Sequence, residues 1–79
     1  MIQIKVRIKG ALIKKPIGQT QFNYDCAEGT TVAGLLKNFD YTDDQVRYIT
    51  ASVNYDVKPH AYVLQNGDEV MLMAMIGGG

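Results

Sequence analysis

An α+β fold, with one main helix packed on one face of a mixed four- to five-stranded sheet, is predicted by three features of this 79-residue sequence. Residues 2–9 alternate strictly between apolar and polar side chains. Residues 32–39 carry apolar side chains at helical spacing, and a turn signature at Asn66-Gly67 introduces a last apolar strand. A chain of this length holds one hydrophobic core, so residues 1–76 are read as a single domain and 77–79 as a flexible glycine tail.

The first strand rests on Ile2, Ile4, Val6 and Ile8 against Gln3, Lys5, Arg7 and Lys9, the period-2 pattern of a strand with one wet face. Gly10 to Gly18, with Pro16 inside it, reads as a loop. Alternation resumes from Thr20 to Cys26, placing Phe22, Tyr24 and Cys26 on one face of a second, antiparallel strand. Gly29-Thr30-Thr31 ends that strand and offers Thr31 as a helix N-cap, its hydroxyl accepting one of the unpaired first-turn amides. Val32, Leu35, Leu36 and Phe39 then form one helical stripe. Thr42 and Gln45 have capping-box spacing for a second, shorter helical turn, and Asp43 and Asp44 suit its positive end. Ile49, Ala51, Val53 and Tyr55 alternate with polar residues as a third strand, which breaks into a loop near Lys58-Pro59. A short extended piece over 61–64 is the candidate fourth strand. Asn66-Gly67 turns the chain into the last strand, Glu69 to Ile76. If that strand lies beside the first, the pairing is parallel, because the helix supplies the crossover. The arrangement is a β-grasp.

Composition excludes several classes of function. With 47% apolar and 20% charged residues the chain is an ordinary globular domain. Its longest apolar run, Val70 to Ile76, falls far short of the ~20 residues that span a bilayer, so no membrane role and a cytoplasmic location are expected. Net charge is zero, yet Lys5, Arg7, Lys9, Lys14 and Lys15 fall in the first 24 residues without an acid. The molecule should therefore be polarised. The lone Cys26 ends an apolar strand face and reads as a small buried hydrophobe, since Asp25 and Glu28 beside it disfavour a thiolate. The lone His60, behind Pro59, reads as a surface-loop imidazole. Neither supports acid–base or nucleophilic catalysis, and together they fall short of a metal site, so the chain is not expected to be an enzyme or to bind a cofactor.

The terminal Gly77-Gly78-Gly79 contributes nothing to packing, so it is either a spent terminus or a chemical handle. Fully stretched, three residues reach about 10–11 Å, and without Cβ atoms such a thread enters a slot too narrow for any other residue. The Gly79 carboxylate would then be presented inside another protein.

Thr31-Val32-Ala33-Gly34-Leu35-Leu36, Ala51-Ser52-Val53-Asn54, Gln65-Asn66-Gly67-Asp68-Glu69-Val70 and Gly77-Gly78-Gly79 resemble, in order, the ThiS/MoaD family of ubiquitin-like sulfur carriers. One departure is Tyr55, which stands where a glycine commonly follows the strand-three asparagine. The resemblance implies a carrier in thiamine-thiazole or molybdopterin biosynthesis. A ubiquitin-activating-like adenylating enzyme would use Mg-ATP to adenylate Gly79, with Gly77 and Gly78 threading the tail. A persulfide donor would then leave a thiocarboxylate on Gly79, which a sulfur-accepting synthase consumes. The triglycine tilts toward the thiamine-type carriers.

The residues themselves add a partner surface. Met71, Met73 and Met75 make the second face of the last strand apolar, and with Ile76 they offer an adaptable docking patch beside the tail. The competing reading buries these methionines under the chain's own loop 10–18 or in a self-association contact. Two other functions are weighed. One is a protein modifier conjugated through Gly79. The other is a nucleic-acid module using the basic first hairpin with Phe22 and Tyr24 as stacking rings, which an isoelectric point near 6.5 disfavours.

Overall fold

The computed structural model describes residues 1–9 and 20–74. β1 (Ile2–Lys9) forms as the alternation predicts, with Ile2, Ile4, Val6 and Ile8 buried and the intervening polar residues exposed. β2 (Gln21–Cys26) pairs with it antiparallel, Val6 opposite Phe22 and Ile2 opposite Cys26. The predicted loop over 10–18 lies outside the described residues, as do Met75, Ile76 and the boundary of the glycine tail.

α1 (Val32–Asn38) starts where Thr31 accepts the Gly34 amide at 3.1 Å. It ends because Asp40 takes a left-handed backbone, φ 64°, while the amides of Asp40 and Tyr41 turn back to the carbonyls of Lys37 and Leu36. That is a Schellman closure with an aspartate in the position glycine usually fills. Val32, Leu35, Leu36 and Phe39 face the sheet, and the buried Tyr41 packs in behind the turn. α2 (Asp43–Tyr48) carries the predicted capping box: Thr42 Oγ1 accepts the Gln45 amide at 3.1 Å and Gln45 Oε1 accepts the Thr42 amide at 2.8 Å.

β3 (Ile49–Val53), β4 (Asp56–Lys58) and β5 (Glu69–Ala74) complete one sheet of order β2-β1-β5-β3-β4. β5 runs parallel to β1, with Lys5 opposite Glu69 and Lys9 opposite Met73, and antiparallel to β3. The last strand is thus the centre of the sheet, as the crossover argument requires.

The fourth strand is the chief correction. It is 56–58, paired with β3 through Val53 opposite Asp56, and not 61–64. Asn54 and Tyr55 both have positive φ, 52° and 71°, so the chain reverses in a two-residue hairpin turn where simple alternation would carry β3 on to Tyr55. The segment 59–64 is spent on α1 instead. Val32 and Ala33 donate to the carbonyls of Tyr62 and His60 at 3.0 and 2.9 Å, satisfying first-turn amides that have no partner inside the helix. Val63 keeps one bridge, to Thr31.

Candidate functional site

Alternation along β5 sends Val70 and Leu72 into the core and Met71 and Met73 onto the opposite face of the sheet. Among the described residues that face carries no helix, and both methionines are half-buried there. The register builds two rows across it: Gln21, Arg7, Met71, Ser52 and Val57 form one, and Lys9, Met73 and Thr50 the next. The open face is therefore apolar over β5 and β4 and cationic along β1. A shallow depression of about 170 Å³ between Lys5, Arg7, Gln21, Tyr55, Glu69 and Met71 lies at one end. Of the predicted partner-binding residues, Met71 and Met73 are brought together here. Met75, Ile76 and the tail residues Gly77, Gly78 and Gly79 lie outside the described residues.

What fixes β5 is a cluster that reading the sequence missed. Asp68 is 5% exposed, yet it ends a hydrophilic turn. Its Oδ1 accepts Asn54 Nδ2 at 3.0 Å, and its Oδ2 accepts the Gln65 amide at 2.8 Å and the Tyr62 hydroxyl at 3.4 Å. Asn54 and Glu69 exchange a second pair of bonds, Asn54 N to the Glu69 carbonyl at 2.8 Å and Glu69 N to Asn54 Oδ1 at 3.0 Å. On the other side Gln3 N donates to Asn66 Oδ1, Gly67 N to the Gln3 carbonyl, and Lys5 N to the Asp68 carbonyl. The turn is thereby pinned to both β1 and the β3–β4 hairpin. A one-residue slip of β5 would exchange its core face for its methionine face, so this cluster sets which residues reach the open surface and in what register the chain leaves the sheet. The Asn-Gly-Asp turn chemistry was the available signal.

Burial raises the Tyr41 phenol above its ordinary range. Burial, then the charge of Asp68 and its hydrogen bond, do the same to Tyr62. A group whose folded pKa is raised supports the fold below its unfolded value and loses that support as pH rises through the folded one. The tyrosines should therefore leave the melting temperature steady between about pH 8 and 10 and lower it above that, and Tyr62→Phe should flatten part of that fall. Thermal melts across pH 8–12 check this (about this range, bracketing the phenol). At the other end of the molecule Lys37 bonds Asp43, and its hydrogen bond and charge lower that carboxyl.

Phe22 and Tyr24 do not join Lys5, Arg7 and Lys9 in a basic stacking face. Their rings pack edge-on against Phe39, centroids 5.7 and 4.8 Å away, on the helix side of the sheet. The cations occupy the other side. Cys26 is core, as expected, at 4% exposure. His60 is not a free surface imidazole: its Nε2 donates to the Ile49 carbonyl at 2.8 Å and ties the 59–64 segment to the start of β3. Among the described residues no cluster of His, Cys, Asp and Glu could hold a metal ion, and no helix is long and apolar enough to cross a membrane.

With this geometry in hand, the model of the ThiS family matches residues 17–79, from the approach to β2 through the final glycine. The chain belongs to the ThiS family. No curated protein sequence matches it. Solved structures similar to this ThiS-family chain include small archaeal modifier protein 1 from Haloferax volcanii, with a TM-score of 0.75 at 16% identity over 96% of this chain and 100% of that one. Urm1 from Trypanosoma brucei superposes at a TM-score of 0.66 and 22% identity, over 98% and 95%. In the complex of subunits 1 and 2 of molybdopterin-converting factor from Helicobacter pylori, the matched chain gives a TM-score of 0.61 at 18% identity, over 99% and 100%. At these identities the shared property is the ubiquitin-like β-grasp.

Proposed function

We propose that this ThiS-family chain is a sulfur carrier whose cargo is held on the Gly79 carboxylate. The observation that carries the reading is the family match that extends to Gly77-Gly78-Gly79, behind a strand that the fold makes central. A carboxylate resists substitution because its oxygen is a poor leaving group. A ubiquitin-activating-like enzyme using Mg-ATP converts it to an acyl-adenylate and releases pyrophosphate. Hydrosulfide attack on the acyl carbon then forms the C–S bond, breaks the C–O bond to AMP and leaves a thiocarboxylate. A persulfide forms the same C–S bond, after which a thiol must cleave its S–S bond. The protein is substrate and shuttle, with no active site of its own. The cycle belongs in the cytoplasm, where Mg-ATP is abundant, and it ends on a sulfur-accepting synthase of thiamine-thiazole or molybdopterin synthesis. Capture of a molybdopterin-converting-factor subunit 1 with its subunit 2 in the Helicobacter pylori structure supports an accepting partner of that kind.

Within this reading Met71 and Met73 belong to the docking patch, to which we also assign Met75 and Ile76, the next residues of that sequence pattern. Methionine side chains adapt to more than one partner, as a shuttle between two enzymes needs. A second reading, conjugation through Gly79 to lysines, is supported by the likeness to a small archaeal modifier protein. Intact-mass measurement of the protein from its own cell separates them. The carrier shows a fraction heavier by one oxygen-to-sulfur exchange. A modifier shows instead lysines of other proteins linked to its terminal glycine.

A further inference from the structure

Tyr55 combines three properties that packing alone does not explain. Its φ of 71° is the left-handed backbone that a bulky L-residue adopts at a cost of about 1–2 kcal/mol, at the turn position where glycine would sit freely. Its side chain is 75% exposed and has no hydrogen-bond or ring partner among the described residues. It stands at the rim of the depression on the open face, with Met71 within the lining and the 71%-exposed Val57 just beyond the turn. Strain held at an exposed aromatic is explained when the ring is used by something outside the chain.

We propose that Tyr55 is a second anchor for the adenylating partner, a protein surface offering an apolar slot for the ring and acidic groups facing β1. This rests on the carrier reading above. Charge complementarity names the chemistry: Lys5, Arg7 and Lys9 line one side of the methionine row and have no ion pair among the described residues. A nucleic acid fits worse, because the surface beside the ring is apolar at Met71 and Val57 and the chain as a whole carries no net positive charge. Position sets the role. Tyr55 lies beside Glu69, where β5 begins, and the tail follows its other end, about 17 Å away at ~3.3 Å per residue. A standard interface of about 800 Å² per partner spans that distance. Through Tyr55 the partner would grip the carrier at the start of β5, at the opposite end of the strand from the point where the chain continues toward Gly79, so the binding energy is expressed equally in ground and transition states.

The test is ATP–pyrophosphate exchange by the source cell's adenylating enzyme, with wild type, Tyr55→Gly and Tyr55→Phe as substrates, beside thermal melts of each. Tyr55→Gly should melt about 4–8 °C higher as the turn relaxes. Its KM should rise about 10- to 30-fold with kcat within about twofold, while Tyr55→Phe stays near wild type in both. An unchanged KM in Tyr55→Gly overturns the anchor, as does a lower melting temperature, which would make the residue structural. Salt-sensitive binding of wild type to oligouridine, lost in Tyr55→Gly without a change in KM, also overturns it in favour of nucleic acid. If wild type itself supports no exchange, the carrier reading fails and the anchor with it.

Discussion

Removing Gly79 should abolish the proposed adenylation and sulfur loading, and so should a single residue added after it. In the first case the carboxylate ends one residue short of the reacting phosphorus, a displacement of ~3.5 Å. Misplacement by about 1 Å is enough to cost on the order of a hundredfold, so the expected loss is total within assay limits. Gly78→Val tests the thread separately. It leaves the carboxylate at the same chain length but adds a branched side chain where a narrow slot demands none, and exchange should fall by about a hundredfold or more. Both are read by ATP–pyrophosphate exchange, and neither should move the melting temperature, because residues 77–79 add no side chain to the core.

Asp68→Ala has the largest expected effect on the fold itself. It removes the acceptor for the Gln65 amide, Asn54 Nδ2 and the Tyr62 hydroxyl at a site that is 5% exposed. Bonds to a charged group are worth more than neutral ones, and three part-buried bonds are lost together. A loss of about 2–4 kcal/mol is expected, which lowers the melting temperature of a domain this size by roughly 10–25 °C. Because the cluster joins the turn to both β1 and the β3–β4 hairpin, the damage should appear as early amide exchange of Lys5 and Glu69, whose N–H groups bond within it.

Much of the architecture was legible where one residue type decides one local event. β1 alternates without exception, so its buried and exposed sets follow from the pleat. Thr31 and Thr42 cap because a hydroxyl three residues before a free amide has one good use. The parallel pairing of β1 and β5 follows from the need for a crossover. The β3–β4 hairpin was not legible, because its second turn position is filled by Tyr55, which signals a strand, while the left-handed conformation that closes the turn is imposed by tertiary pairing. The segment 61–64 has strand composition, but its backbone is claimed by the start of α1. At the candidate site, the faces of Met71 and Met73 could be read from parity alone. The burial of Asp68 could not, since its partners Asn54, Tyr62 and Gln65 meet only in the fold. Nor could the separation of Phe22 and Tyr24 from the cations of β1, which depends on which face α1 covers.

The claim on which the account turns is that sulfur resides on the last carboxylate. Its most direct measurement is fragment-ion mapping of the protein after reaction with its adenylating enzyme, Mg-ATP and a persulfide donor. An oxygen-to-sulfur exchange confined to Gly79 is predicted. Sulfur found as a persulfide on Cys26, with Gly79 unaltered, would contradict it.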